Sequence, residues 1–447
     1  MSTKNPDKTL LRPGKTPAGE RTSPDDDLIL LTDRGLYCPP GDFYIDAWKP
    51  VPLTIVTHGH SDHAHYGNER YIGEINSLPV LRLRVGRDAK IEGRAYGEEF
   101  FIRDVKISLH PAGHILGSSQ VRVEHEGRVW VFTGDCKRDE DPSCEPFEVV
   151  KCDTFITEAT FALPIYQWKP TREVAGDIAA WWLKNRARGW NSILCCYALG
   201  KAQRVLAELA RLPVASEFEK QPVYLHGAME NMTRVYRNAG IKMVPTQSSS
   251  IFAKNSAEIS TETSPENLGA SVSIDANGKK KRVPKNKIPR EKITGGLILA
   301  PPSASGSTWT RKFEPYEVGF ASGWMAIRGN KRRKAYDRGF VISDHSDWPS
   351  LIQTITDTGA KRVIATHGSS DVLARYVREN MGLLGETFQT QYGDEETDEK
   401  TEYELKNKLP ETNSTFPGKS DANFADGGHA GTKNDLHTDS PSGTGVS

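Results

Sequence analysis

The chain has 447 residues, and its 58 Lys plus Arg balance 58 Asp plus Glu, so the formal net charge is zero. That length allows two domains or one large core with an insertion, while neutrality excludes a global electrostatic attraction to nucleic acid and makes any basic surface local. The six cysteines (Cys38, Cys136, Cys144, Cys152, Cys195, Cys196) form no CxxC pair, the usage of a cytosolic protein with reduced thiols.

Residues 1–26 are rich in Lys, Pro and Thr, lack the apolar core of a signal peptide, and read as a disordered tail. No run of about 18 apolar residues follows anywhere, so no membrane segment is expected. Short strands dominate the first half, at Leu28–Leu31, Leu53–Thr57, Val105–His110, Gln120–Glu124, Arg128–Thr133 and Thr154–Thr157. Period-two alternation in Val121–Glu124 and Val129–Phe132 suits sheet, and Glu124–Arg128 reads as a hairpin turn. Arg172–Arg188 then reads as an amphipathic helix, with Thr171 as N-cap and Glu173 in the first turn. A strand at Ser192–Cys196 leads through Tyr197–Gly200 into a helix at Lys201–Ala210, which marks a βαβ-type unit.

From Gln247 to Glu291 large apolar residues are scarce, and a structureless loop of that length reads as a disordered surface insertion. Its Lys279–Arg282 run suits either a polyanion contact or a solvated loop. Strands resume at Gly296–Ala300, Glu317–Ala321, Arg338–Ile342 and Arg362–Ala365. Residues 394–447, rich in Asp, Glu, Gly, Ser, Thr and Asn, read as a second disordered tail.

The densest chemistry lies in Thr57-His58-Gly59-His60-Ser61-Asp62-His63, just after the apolar run Val51–Val56. Imidazole nitrogen and carboxylate oxygen are the ligands that borderline divalent metals prefer. A His-x-His-x-Asp-His cluster can face two ions, the first His pair towards one and the Asp-His pair towards the other. His65, two residues on, reads as a supporting or surface residue. His114, Asp135 and His367 recur in one slot, the exit of a strand through a small residue. Gly in such a slot permits a tight turn that aims the next side chain back over the sheet edge. Each alone would pass for an ordinary loop residue, but the recurrence points to one metal site assembled from strand ends.

On these residues the chain resembles the metallo-β-lactamase-fold hydrolases, and more closely their β-CASP nuclease branch. Glu158 in Phe155-Ile-Thr-Glu-Ala-Thr160, His345 in Val341-Ile-Ser-Asp-His-Ser-Asp347 and the later His367 match further signals of that branch. Tyr197–Gln203 is similar to the segment that opens its inserted cap. The resemblance implies an α/β fold, an αββα sandwich with an inserted β-CASP-type α/β cap. Its first part would span 27–170, the cap 171–335 with the insertion 247–291, and the closing part 336–393. The segments Leu28–Cys38 and Gly41–Trp48 look most like bacterial ligase-associated DNA exonucleases, also labelled mRNA 3′-end processing factors. His367 resembles the RNA-cutting relatives instead, since DNA-cutting ones tend to have Val there.

The resemblance further implies two divalent ions, Zn²⁺ or alternatively Mn²⁺. His58, His60 and His114 would hold one, Asp62, His63 and His367 the other, and Asp135 would bridge them. His345 would be the general acid, oriented by Glu158, with Asp62 also at the catalytic centre. The implied function is a DNA exonuclease in DNA repair, with an RNA-processing nuclease as the alternative. A DNA ligase is the implied partner and the cytoplasm the implied location. Arg311, Lys312, Lys331, Arg332, Arg333 and Lys334 are candidate phosphate contacts. Trp309 and Trp324 suit either base stacking or packing.

Overall fold

β-branched and aromatic residues in short alternating runs build most of the architecture, which the computed structural model describes for residues 27–250, 292–327 and 336–389. The backbone of one hairpin, Val272–Ile274 with Lys280–Arg282, is described as well. The chain divides into the units Met1–Glu404 and Leu405–Ser447, and every described residue falls in the first. Both expected tails lie outside the described residues.

A first sheet runs in simple order through β1 (Leu30–Thr32), β2 (Gly35–Cys38), β3 (Phe43–Ile45), β4 (Thr54–Ile55), β5 (Tyr71–Glu74) and β6 (Ile91–Arg94). A second sheet takes β7 (Phe100–Ile102), β8 (Val105–Pro111), β9 (Ser119–His125), β10 (Arg128–Phe132) and β11 (Thr154–Glu158). The chain then leaves for a third, wholly parallel sheet made of β12 (Asn191–Cys195), β13 (Val223–Leu225), β14 (Thr246–Ser248), β17 (Leu297–Ala300), β18 (Tyr316–Ala321) and β19 (Arg338–Phe340). Between β14 and β17 stands the separate antiparallel hairpin of β15 (Val272–Ile274) and β16 (Lys280–Arg282). The chain returns to the second sheet through β20 (Arg362–Thr366), which pairs in parallel with β11 and with β21 (Leu384–Phe388).

Alternation explains the layering. In β10, Trp130 and Phe132 face the first sheet and meet Ile45, Ile55 and Ile72, while Val131 faces the opposite way. The opposite face receives Leu351 and Ile355 of the helix Trp348–Thr358 and Leu373 and Val377 of the helix Ser370–Met381. On the far side of the first sheet, Val56 and Tyr71 pack on Leu81 and Val85 of the helix Leu78–Val85. The order is therefore helix, sheet, sheet, helix, as expected where sheets are buried on both faces. The third sheet has its own core, in which Trp181, Trp182, Leu206 and Met229 of three helices cover Leu194, Leu297 and Leu299.

Three boundaries differ from expectation. Gln247 and Ser248, expected in the irregular insertion, belong to β14 and pair with Tyr224 and Leu225; polar side chains conceal a strand whose backbone bonds suffice. Arg338–Phe340, expected in the closing part 336–393, instead extends the third sheet beside β18, because period-two alternation cannot tell which sheet receives a strand. Thr171 is the first residue of the helix Thr171–Ala187 and Pro170 its N-cap, without a side-chain cap. Proline at this boundary suits a position where no backbone donor is needed.

Candidate metal centre

The second sheet sets the stage. β10, β11 and β20 run parallel and in register, with Phe132 opposite Ile156 and Glu158 opposite Thr366. Asp135, Glu158 and His367 therefore leave one edge side by side. β4 of the first sheet ends at the same place and delivers the Thr57–His63 loop, tied across by Ser119 N donating to Thr57 O at 2.8 Å. Gly134 makes the closeness possible: its φ is 56°, and a Cβ there would lie 2.6 Å from Thr57 Oγ1. Only Gly takes that conformation freely and leaves that room.

Six of the seven expected ligands converge. Donor atoms of His58, His60, His114 and Asp135 lie within 4.8 Å of one another, as do those of His58, Asp62 and His63. Asp135 faces both groups. Its Oδ2 is 3.3 Å from His58 Nε2 and 3.6 Å from His114 Nε2, while Oδ1 is 3.5 Å from His63 Nε2. His367 stands at the margin. Its ring lies 5.6 Å from that of His63, and it lines an open cleft with His63, Asp62, Asp46 and Thr366. Its backbone is left-handed at φ 56°, a costly conformation for a residue with a Cβ.

The outward side of each imidazole decides its tautomer. His114 Nδ1 donates to Asp344 O at 2.8 Å, His60 Nε2 to Leu199 O at 3.3 Å, and His63 Nδ1 to Asp46 Oδ2 at 2.7 Å. Thr57 Oγ1 spends its proton on Asp46 Oδ2 at 2.7 Å and so accepts from His58 Nδ1 at 3.0 Å. The inner nitrogens are then His58 Nε2, His60 Nδ1, His63 Nε2 and His114 Nε2, each of which offers a lone pair wherever its ring is neutral. They crowd together, with His60 Nδ1 only 3.2 Å from His58 Nε2 and 3.0 Å from His114 Nε2. His63 Nε2 and Asp62 Oδ1 are buried with no hydrogen-bond partner. Converging lone pairs and buried acceptors repel unless a cation sits among them, and a hydrogen-bonded outer nitrogen is the usual arrangement behind a metal-bound imidazole. The residues present fit divalent cations.

Electrostatics agree. Burial, helped by His58, presses His60 down to about 3. Burial and the neighbouring His345 and His58 hold His114 well below its ordinary value. His63 moves the opposite way: burial would lower it, but Asp62, Asp135 and Asp46 together raise it well above the ordinary imidazole value. The carboxylate field around His63 favours a positive charge.

Beside these residues lies the buried pair Glu158 and His345. His345 Nδ1 is 2.8 Å from Glu158 Oε2 and 2.9 Å from Oε1, and Glu158 Oε1 also accepts from Cys136 N at 2.7 Å. Trp168 Nε1 donates to His345 O at 3.0 Å, and the His345 ring is 4.7 Å from that of His114. The pair is therefore held by a strand, a backbone amide and an indole.

Other expected residues fall elsewhere. Arg311 and Lys312 are exposed on the turn Thr310–Phe313, with the Lys312 ammonium 4.9 Å from the ring of Trp309. Lys331–Lys334 lie outside the described residues. Trp309 packs against His226 and Phe313, and Trp324 against Phe161 and Tyr166, so both are half-buried packing groups in this structure. His65 Nε2 donates to Asp62 O at 3.0 Å, a supporting place. Asp46, the acceptor behind His63, was not anticipated, although it leaves β3 as Asp135 leaves β10.

Among known proteins, no family model matches the chain. It is 28% identical to a probable DNA ligase of Opitutus terrae over 365 residues, which is 80% of this chain and 31% of that protein. It is 33% identical to the endoribonuclease ysh-1 of Neurospora crassa, over 30% of this chain and 16% of that one. An RNase J-like protein of Methanocaldococcus jannaschii is 26% identical over 46% of this chain and 55% of its own length. The chain thus spans 31%, 16% and 55% of these relatives. Relatives of these kinds are consistent with a β-CASP nuclease of the metallo-β-lactamase superfamily, the group the motifs resemble.

Proposed function

We propose that the chain is a metal-dependent phosphodiester hydrolase of the β-CASP kind. In this reading the helix, sheet, sheet, helix layers are a metallo-β-lactamase sandwich, and the third sheet with its helices, from about residue 171 to 340, is the inserted cap. The observation that carries the reading is the convergence of four imidazole nitrogens on Asp135 beside a buried carboxylate–imidazole pair.

Divalent ions, when bound, would neutralise phosphate charge and lower the pKa of water towards ~7. His58, His60, His114 and Asp135 would hold one, and Asp62, His63 and His367, sharing Asp135, the other. Nitrogen and carboxylate donors suit zinc and admit manganese. The remaining work belongs to the chain itself. Glu158 commits Nδ1 of His345, so the ring can carry a proton on Nε2 to the leaving oxygen, and the carboxylate stabilises the imidazolium beforehand. Loss of that proton transfer costs about 10²–10⁴-fold in rate.

The substrate we infer is DNA, degraded from an end during repair, in a groove between the two parts of the fold. Arg311, Lys312 and Lys331–Lys334 would contact phosphates there. The alignment with a ligase-named relative over 80% of the chain supports DNA and a ligase as partner; the ribonuclease-named relatives and His367 support RNA as the second reading. The six cysteines lie among the described residues as thiols rather than disulfides, which suits the cytoplasm, and no described helix is long and apolar enough to cross a membrane. The test is parallel digestion of end-labelled DNA and RNA of one sequence, with Zn²⁺ and Mn²⁺ supplied separately. Stepwise shortening of DNA is expected. Faster RNA cleavage would transfer the substrate to RNA, and intact DNA and RNA under every condition would overturn the nuclease reading.

A further inference from the structure

The four imidazoles lean on two different parts of the fold. The acceptors behind His58 and His63, Thr57 and Asp46, leave β4 and β3 of the first sheet. The acceptors behind His60 and His114 belong to the third sheet's connections. Leu199 lies in the turn between β12 and the helix Lys201–Ala210, and Asp344 in the segment that returns from β19.

Both connections are pinned by that one helix. Gln203 clamps the turn, its Oε1 accepting from Gly200 N at 2.8 Å and its Nε2 donating to Ala198 O at 3.0 Å. Arg204, with a fully buried side chain, donates Nη1 to Ser343 O at 2.7 Å and lies 3.4 Å from Asp344 Oδ1. Its Nε is 3.1 Å from Oδ2 of Asp141, whose Oδ1 accepts from Ser143 N and Oγ. Lys201 Nζ adds a 3.5 Å contact to Asp344 Oδ2 and sits 4.4 Å from the ring of Tyr197. A buried guanidinium is tolerated only when its partners are fixed around it. Here those partners are Asp141, in the loop between β10 and β11, and the pair Ser343 and Asp344, of which Asp344 presents the carbonyl for His114.

We infer that Arg204 is a positioning residue, through which the third-sheet region completes one half of the metal centre while the first two sheets alone complete the other. The inference rests on the metal-centre reading above. Arg204 holds Ser343 and Asp344 so that the Asp344 carbonyl keeps His114 in the tautomer with Nε2 turned inward. The pocket of His58, His60, His114 and Asp135 therefore depends on Arg204. The pocket of Asp62 and His63, backed by Asp46, does not.

The test is Co²⁺ titration of chelator-stripped full-length protein, followed by equilibrium dialysis and by visible absorption of the bound ions. Wild type should take up two ions per chain. Arg204→Met should weaken one ion by about 10–100-fold, the usual cost of disturbing the group behind a metal-bound imidazole. The other ion should keep its affinity and its spectrum, and Arg204→Lys should recover part of the loss. If Arg204→Met does not fold, Lys201→Met, which leaves Arg204 between its aspartates, should give a smaller loss at the same single ion. Equal weakening of both ions, or of neither, would overturn the inference while leaving the metal centre standing. A wild-type protein that takes up no Co²⁺ would overturn both.

Discussion

His63 and His114 present the same inward-facing nitrogen from opposite supports. His63 rests on Asp46, a carboxylate that leaves a strand of the first sheet, and three carboxylates surround it. His114 rests on a backbone carbonyl delivered by the returning chain, and its ring meets His60 and His345. One side of the centre is thus anionic and backed from the first sheet, whereas the other is imidazole-rich and backed in part from the third.

Asp135 belongs to both sides, so Asp135→Ala should erase the distinction: no ion retained by metal analysis, and turnover at background. The next largest effect isolates chemistry from binding. His345→Ala should keep both ions while slowing cleavage by about 10²–10⁴-fold, and loss of metal in that variant would remove its assigned role. Asp46→Asn tests the anionic side and is the mirror of Arg204→Met. It should weaken the ion at His63 by about 10–100-fold, leaving the ion at His114 unchanged in the same dialysis measurement. The smallest effect is expected from Trp168→Phe, which removes one neutral hydrogen bond to His345 O worth about 1 kcal/mol. It should lower kcat several-fold with metal content and KM preserved, and a fall in metal content instead would place Trp168 among the supports of the ions.

Much of this was legible in the sequence because strand ends announce themselves. The runs before His58, Asp135, Glu158 and His367 alternate or are β-branched, and a His or carboxylate of the proposed site ends each. β3 is only three residues long, too short to show alternation, so Asp46 remained one aspartate among many in Gly41–Trp48. The carbonyls of Leu199 and Asp344 could not be read at all, since every residue carries one and only the fold decides which imidazole it meets. Arg204 was hidden for a related reason. In the helical run Lys201–Ala210 charged residues suggest an exposed face, yet Lys201, Gln203, Arg204 and Glu208 are all buried. Sheet membership was equally silent, as Arg338–Phe340 illustrates.

Metal dependence of cleavage tests the central claim most directly. Full-length protein stripped with a chelator should leave end-labelled DNA intact. Stepwise return of Zn²⁺ or Mn²⁺ should restore cleavage up to two equivalents per chain and no further. Cleavage that survives stripping, or that is complete at one equivalent, would contradict a two-ion nuclease.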